Sequence, residues 1–425
     1  MEKLRNLIKT KSKETFSSLS IRNYRLYYIG QIISTSGTFM QTVAQGWLVL
    51  KLTNSGTALG IAVALQYVPL LVLGSYGGVI ADRYPKRTIL FFTQSIAGIL
   101  ALILGILVAT NIVQLWMVYV LAFMLGLVSI FDNPTRLTFY MELVGPEKLR
   151  NAVTLYSTLV NLSRVIGPAL AAGLIASIGI AACFILNGIS YFAVVIMLAL
   201  LHTDEMMIAE PVPRAKGQLK EGFRYIFTTP VIGYPLLMMA ILGTFTYEFQ
   251  VTLPLIAKNV FNSGASGYAF LTASMGAGAA LGGLFFASKK RGAPKKLAGA
   301  AALFGLVILA AAVMPSLILT AAAMVIVGFC SINFSSLGNA TVQLESASEM
   351  RGRVMSFWSI AFLGMTTFGG PIVGRFAEVT GGRFGLALGG IAALAAAGIG
   401  ALKLRNIPVS PVRVSDLETS RDSSD

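Results

Sequence analysis

Twelve long apolar runs constrain the fold of this chain more than any other feature of its sequence. A helix needs roughly 20 mostly apolar residues to cross a bilayer. The runs are longer than the ~10 residues of a membrane β-strand and do not alternate in polarity. They lie at about 24–50, 57–81, 88–110, 113–137, 151–177, 179–201, 231–257, 266–288, 296–314, 316–340, 353–379 and 383–403. The sequence therefore predicts an all-α membrane protein with twelve transmembrane helices, called spans one to twelve below.

The composition agrees with a bilayer environment. Hydrophobic residues make up 55% of the chain and charged residues 12%, whereas a soluble domain carries about 25% charged residues. In water such a chain would expose large apolar patches and aggregate. Cys183 and Cys330 both fall inside apolar runs, which is typical of small core residues. These features exclude a disulfide scaffold and argue against a soluble enzyme.

Basic residues predict which side of the membrane each loop faces. If the N-terminus is inside, the cytoplasmic segments hold 28 Lys and Arg, the outer loops hold four, and Arg164 lies within a span. Cytoplasmic loops of membrane proteins carry such an excess. We therefore predict a multi-pass protein of the cytoplasmic membrane with both termini in the cytoplasm. The same asymmetry explains the net charge of +15 without a nucleic-acid partner.

The chain divides into two related halves. Arg150–Pro168 and Arg353–Pro371 both begin with Arg and end in Gly-Pro eighteen residues later, at an offset of 203, and shorter matches recur at similar offsets. We expect pseudo-symmetric six-helix halves that enclose a binding site near mid-membrane and rock against each other. The predicted segments are a basic N-terminal segment (1–23), the two halves (24–201 and 231–403), a cytoplasmic linker (202–230) and a disordered tail (404–425).

The loop after span two carries a family resemblance. Gly78–Arg87 reads Gly-Val-Ile-Ala-Asp-Arg-Tyr-Pro-Lys-Arg and resembles the loop signature of the major facilitator superfamily. It departs from that pattern at Pro85, where the family usually has Gly, and its second copy has Ala287 in place of the acid. Asn161–Gly173 resembles the Gly-Pro signature of the superfamily's antiporters.

Three shorter motifs, Phe131–Pro134, Arg150–Ala152 and Gly222–Tyr225, resemble the branch that contains enterobactin-type siderophore exporters and macrolide efflux proteins. The resemblance implies the major facilitator fold, a bacterial transporter and alternating access.

The signature loop is the first gating candidate. The resemblance implies that Asp82 contacts span eleven and holds the cytoplasmic side closed, together with Gly78, Arg83, Lys86 and Arg87. An acid near a helix N-terminus is favourable. The alternative is that the three cations only fix the topology.

Asp132 is a second gating candidate, near the cytoplasmic end of span four. Arg136 follows one turn later, which is the spacing of a helix salt bridge. We expect Asp132 to be a gating partner of Arg83 or Lys86 rather than a substrate contact.

Gly-Pro pairs inside spans five and eleven are candidate hinges, because proline removes a backbone hydrogen bond and can bend a helix. The four residues are Gly167, Pro168, Gly370 and Pro371.

Glu248 is the candidate proton carrier. It lies about 24 Å into span seven, and an ionisable residue inside a span is a functional candidate. A carboxyl in a low-dielectric cavity can take up and release a proton as the cavity opens to each side. The alternative is a structural glutamate that bonds a neighbouring helix or faces outer water. Other residues predicted to line the cavity are Gln41, Gln45, Gln66, Asn187 and Tyr247.

Arg164 lies near the middle of span five. A buried arginine needs a carboxylate, carbonyl groups or an anionic ligand. It is therefore either one half of a fixed ion pair, with Asp132 or Glu248, or the counter-charge for an anionic cargo.

The sequence offers no enzyme chemistry. The only histidine, His202, has no metal-ligand partners in sequence, and no nucleotide-binding loop is present. We predict no catalytic residues, metal or cofactor. The expected function is proton-coupled export of a small amphipathic molecule, such as a drug, by a monomer in contact with membrane lipids. The alternatives are export of an anionic siderophore or lipid-like metabolite and, more remotely, a membrane scaffold or receptor.

Overall fold

The computed structural model describes residues 16–207, 218–286 and 294–404, and for 75–82 and 218–220 it describes only the backbone. The described chain is helical throughout. Ten of its helices are long and apolar enough to cross a membrane. The residues of the predicted N-terminal segment before 16, the linker stretch 208–217 and the tail after 404 lie outside the described ranges.

The helices follow the predicted order of spans. Spans one to six are Arg22–Thr53, Gly56–Arg83, Lys86–Ala109, Leu115–Ser177 (which holds spans four and five) and Ile180–Ala199. Spans seven to twelve are Pro230–Phe245 with Phe249–Asn259, Gly264–Phe286, Pro294–Ala312, Leu317–Glu345, Arg351–Ser359 with Thr366–Thr380, and Gly382–Leu404. A linker helix, Gln218–Thr228, precedes span seven.

Twelve crossings follow from the ten apolar helices in two steps. Leu115–Ser177 has 63 residues and would be about 95 Å long if straight, which is enough for two crossings. Gly145 interrupts it with φ 70° and ψ 174°, a left-handed backbone that glycine adopts without strain, and Pro146 follows. The 32-residue helix Arg22–Thr53 is long enough to span but carries too many polar residues to be counted among the ten.

Helices pair in the same way in both halves. Span three packs on span six as nine packs on twelve, and span two packs on span four as eight packs on ten. Between the halves, span two meets span eleven and span five meets span eight. These pairings recur at equivalent positions of the two halves, which is the contact pattern of a two-fold arrangement.

Glycines bring spans two and eleven into backbone contact. Gly56 and Gly60 on span two face Gly374 and Gly370 on span eleven, so each helix presents a pair of glycines four residues apart. A Cβ on Gly370 would lie 2.6 Å from the Gly60 carbonyl oxygen, and one on Gly56 would lie 2.6 Å from that of Gly374. This contact lies at the end of the bundle predicted to face outward, called the outer end below.

Two spans lose their α-helical geometry inside the membrane. Span seven is interrupted at 246–248, where Glu248 precedes the helix Phe249–Asn259. Span eleven contains a π-helical turn, Ile360–Gly364. Such turns occur often at functional sites. The turn begins ten residues and ends six residues before Gly370. The irregular backbone of span eleven is therefore not at the predicted Gly-Pro hinge.

Candidate functional site

A hydrogen-bonded contact joins the two halves at the outer end. One carboxylate oxygen of Glu378, at the end of span eleven, accepts hydrogen bonds from the Ser55 hydroxyl (2.7 Å), the Thr57 hydroxyl (2.7 Å) and the Thr57 backbone N–H (2.8 Å). The acceptor sits at the N-terminus of span two, where unpaired N–H groups and the helix dipole favour an anion. We call Glu378, Ser55 and Thr57 the outer latch.

A second bond supports the same closure. Lys258, near the end of span seven, donates from Nζ to the Leu50 carbonyl of span one at 3.1 Å. Arg375 lies 3.6 Å from the other oxygen of Glu378, one turn away on the same helix. The Arg375 contact stays within span eleven. The outer latch, the Lys258 hydrogen bond and the glycine contact together close the outer end in this conformation.

A polar cavity lies beneath the outer closure, between spans one, two, four, six and seven. Its volume is about 30 Å³, which leaves room for ordered water. Its polar lining consists of Thr38, Gln41, Thr42, Gln45, Gln66, Tyr191 and Gln250. Three residues predicted to line the cargo cavity, Gln41, Gln45 and Gln66, lie on this small cavity, and their contact with cargo stays a prediction. Gln250 was missed by sequence reasoning, although it follows Glu248 by two residues.

Two other residues predicted to line this cavity do not. Asn187 is fully buried and donates to Gln41 Oε1 at 2.7 Å, so it ties span six to span one. Tyr247 points into the second half, where its hydroxyl donates to the Ser331 carbonyl of span ten at 3.2 Å.

Arg164 has no carboxylate partner among the described residues. Its guanidinium carbon lies 5.8 Å from the centre of the Phe39 ring, and its Nε is buried without a hydrogen bond. Tyr247, Tyr67 and Tyr156 interact with it electrostatically. The fixed ion pair expected as one alternative is therefore not formed: neither Asp132 nor Glu248 bonds to Arg164.

Arg164 also lies where the halves meet. The Arg164 backbone packs against Gly276 of span eight, and Asn161, one turn earlier, lies beside Gly283 of the same span. A cation at this interface, with no carboxylate bonded to it among the described residues, has the position and the unused N–H donors to hold an anionic ligand.

A polar stripe leads along span five to Arg164 from the end predicted to face the cytoplasm. Thr154, Ser157, Asn161 and Arg164 recur every three or four residues and so share one face of the helix. Thr154 and Ser157 are exposed, while Asn161 and Arg164 are half-buried. The two hydroxyls bond only to carbonyls of their own helix, at 2.8 and 2.9 Å, among the contacts described. Sequence reasoning missed this stripe, although its helical spacing is visible in the sequence.

Glu248 is 1% exposed and does not line the polar cavity. Neither carboxylate oxygen has a hydrogen bond of good geometry with any residue that the structure describes, although the Thr366 hydroxyl lies beside the group. The Glu248 carboxylate faces Gly369 of span eleven. A Cβ added to that glycine would lie 2.7 Å from Glu248 Oε1. The expectation that Glu248 faces an aqueous cavity is not met in this conformation. A buried carboxyl without partners is costly when ionised and far less so when it carries a proton.

Asp132 anchors a buried network inside the first half. It accepts hydrogen bonds from Thr93 (2.8 Å) and Gln94 (2.6 Å) and pairs with Arg136, which also bonds to Gln31. The helix salt bridge suggested by the four-residue spacing is therefore present.

The expected partnership of Asp132 with Arg83 or Lys86 is not formed in the structure. Lys86 pairs with Glu142 at 2.9 Å, and both side chains are buried. Arg87 donates to the carbonyls of Leu198 and Ala199 at the end of span six. These two cations therefore brace the first half internally. Arg83 is exposed.

For two gating candidates, Gly78 and Asp82, the structure describes only the backbone, so the predicted contact of Asp82 with span eleven stays a prediction. The hinge residues lie at close contacts. Gly167 packs on span one, where a Cβ would lie 2.5 Å from that of Phe39, and Gly370 packs on Gly60. Their hinge role also remains a prediction. No group of three or more potential metal ligands occurs among the described residues.

Known proteins resemble this chain in sequence and in fold. The chain is 26% identical to the enterobactin exporter EntS of Shigella boydii over 357 residues, which cover 83% of this chain and 84% of that protein. It is 26% identical to the staphyloferrin A transporter of Staphylococcus aureus over 239 residues, 56% of this chain and 60% of that protein. The match to the transporter YfiS of Bacillus subtilis spans 48% of each chain at 26% identity.

Solved structures show the same architecture. A bacterial homologue of the lysosomal transporter Spinster, inward-facing and occupied, superposes with a TM-score of 0.68 at 17% identity, covering 91% of this chain and 97% of that one. The POT-family transporter PepTSo gives 0.70 at 14% identity, with 91% and 98% covered. The family model of transmembrane secretion effectors matches residues 13–422. The chain therefore belongs to the transmembrane secretion effector family of the major facilitator superfamily, as the loop signature and the paired halves indicated.

Proposed function

We propose that this transporter exports an anionic, siderophore-class small molecule across the cytoplasmic membrane, and that Arg164 is the counter-charge for the cargo. The observation that carries the proposal is that this half-buried guanidinium, at the interface of the halves, has no carboxylate partner in the part of the chain that the structure describes. Placing an unpaired cation at this depth is costly. An anionic ligand would offset that cost while it is bound. Arg164 would then serve to bind cargo rather than to form a fixed ion pair within the protein.

The surroundings of Arg164 suit an aromatic or carboxylate-bearing anion. The Phe39 ring faces the guanidinium, and Tyr67 and Tyr247 interact with it electrostatically. The stripe on span five supplies hydroxyl and amide groups between the cytoplasmic end and Arg164. A cargo with several oxygen atoms and a net negative charge could move along this stripe while it exchanges hydrogen bonds.

The relatives favour this cargo class over the drug-like molecule that we ranked first from the sequence. Two of them are named as transporters of enterobactin and staphyloferrin A. The site agrees with that ranking, since an unpaired Arg164 would repel the cationic amphiphiles typical of multidrug efflux.

Alternating access with the two halves as the moving bodies would carry the cargo outward. The outer latch and the glycine contact close the outer end while the stripe on span five is exposed towards the cytoplasm. Opening the outer end requires that Glu378 release Ser55 and Thr57. We further propose that Glu248 couples transport to protons, because its buried carboxyl has no hydrogen bond of good geometry among the described residues and lies at the break in span seven.

Transport in reconstituted proteoliposomes tests the proposal. A pH gradient would be imposed across the membrane, and the cargo panel would contain an anionic catecholate chelator, a citrate-type chelator and a cationic dye of similar size. We expect gradient-driven movement of one or both anions and none of the dye. Movement of the dye alone would restore drug efflux as the function, and movement of no compound in any gradient would favour a scaffold or receptor.

A further inference from the structure

A large apolar groove lies at the inner end of the second half, far from the polar cavity. Its volume is about 480 Å³, within the ~300–1,000 Å³ of sites that bind small molecules. Three elements form its walls: the linker helix Gln218–Thr228, the first part of span seven and the π-helical turn of span eleven. Its lining includes Phe223 and Phe227 of the linker helix, Pro230, Leu237 and Ala240 of span seven, and Phe357 of span eleven.

The length of the groove matches one leaflet of a bilayer. Along span seven its lining runs from Pro230 to Ala240, which is about 15 Å of helix and so about half of a hydrocarbon core of ~30 Å. Pro230 begins the span at the end predicted to face the cytoplasm. The groove therefore extends from the inner membrane surface to mid-membrane, the region occupied by one acyl chain.

Aromatic side chains on the linker helix form the entrance. Phe223 and Phe227 are 55% and 73% exposed. Their rings lie 4.7 Å apart, and Phe223 lies 6.0 Å from the ring of Phe357 on span eleven. A helix that presents aromatic residues on one face and cations on another is typical of segments that lie in the membrane surface.

The charge at this entrance is positive. Arg224 lies between the two phenylalanines in sequence, is exposed, and has no ion pair among the described residues. The neighbouring acid, Glu221, is already paired with Arg353 of span eleven at 2.6 Å. An anionic headgroup at the cytoplasmic surface would therefore meet an unpaired guanidinium beside the apolar groove.

We propose that this groove binds one acyl chain of an anionic inner-leaflet phospholipid, with the headgroup phosphate held by Arg224. The lipid would bridge the linker helix and spans seven and eleven, and so it would contact the elements that lead to the break at Glu248. This site is separate from the cargo site at Arg164, and its occupancy can be measured without transport.

Native mass spectrometry of the intact chain from nanodiscs tests the proposal. The nanodiscs would contain phosphatidylglycerol and phosphatidylcholine with identical acyl chains in equal amounts. One arginine near a membrane surface favours an anionic lipid by about 1 kcal/mol, so we expect about fivefold more phosphatidylglycerol than phosphatidylcholine retained on the protein. Arg224→Gln should bring the ratio close to one, whereas Arg150→Gln, at another exposed cytoplasmic-side arginine, should leave it unchanged.

A second pair of variants tests the groove itself. Leu237→Trp places a larger side chain in the groove from a residue that is 46% exposed, while Leu303→Trp makes the same change at a 49% exposed residue of span nine. We expect lipid retention to fall severalfold only in Leu237→Trp, with equal melting temperatures for both variants. Equal retention of the two lipids by the wild type, or unchanged retention in Leu237→Trp, would overturn the proposal.

Discussion

Weakening the outer latch should shift the protein towards an outward-open state. In Glu378→Gln the side chain keeps one acceptor but loses the negative charge that three donors now share. A hydrogen bond to a charged group contributes about 1.5–3 kcal/mol when shielded from water, and exposed charges contribute less. Because Glu378 is exposed, we expect a total loss of about 1–2 kcal/mol, which is a factor of roughly 5–30 in the equilibrium between outer-closed and outer-open forms.

Distances between spin labels at the outer end would measure this shift. Ile112 and Val313 are 57% and 70% exposed in outer loops of opposite halves, and the two native cysteines are buried. Glu378→Gln should increase the population with long distances between these labels. Arg375→Gln is the matched control, because it removes a neighbouring charge of the same helix that does not bond to span two.

A double-mutant cycle sharpens the result. Thr57→Val removes one of the donors, so its effect should largely disappear in the Glu378→Gln background if the two residues act through the same bonds. The latch interpretation would be wrong if Glu378→Gln left the distance distribution unchanged, or if Arg375→Gln shifted it equally.

Three further predictions concern the interior. Glu248→Gln should abolish export driven by a pH gradient while retaining exchange of cargo, because an amide can hydrogen-bond but cannot carry the proton; full gradient-driven export would exclude Glu248 as the carrier. Gly60→Val should prevent outer closure and slow transport, since a side chain there would collide with the Gly370 backbone; a wild-type rate would show that this contact does not matter. Lys86→Met should leave Glu142 buried without its partner and cost about 3–5 kcal/mol of stability, measured as a lower melting temperature; an unchanged value would contradict the buried pair.

Much of the architecture could be predicted because a segment that crosses lipid must satisfy its backbone N–H and C=O groups internally, which a long helix does. Apolar run lengths were enough to predict twelve spans, although the run of span four was expected to end at 137 and the helix continues to Gly145. The pairing of Asp132 with Arg136 was visible as a four-residue spacing. Local spacing of this kind is fixed by helix geometry and needs no tertiary information.

The contacts between the halves could not be read in the same way. Glu378 and Ser55 are 323 residues apart, and an acid at the end of a span resembles any residue at a membrane surface. Whether Arg164 has a partner also depends on how the helices rotate. The acids expected nearby point elsewhere: Asp132 bonds within the first half, and Glu248 faces span eleven.

Binding of an anionic chelator to Arg164 variants tests the central claim most directly. The measurement is the dissociation constant of a catecholate or citrate-type chelator for purified protein, compared among wild type, Arg164→Lys and Arg164→Gln, with a cationic dye as the control ligand. Removing one partner of a buried charged contact costs about 2–5 kcal/mol, so Arg164→Gln should weaken binding of the anion by at least about 30-fold. Arg164→Lys should weaken it less. Neither variant should bind the dye more weakly than the wild type does. Equal affinity of wild type and Arg164→Gln for the anion, in variants with unchanged melting temperature, would contradict the account.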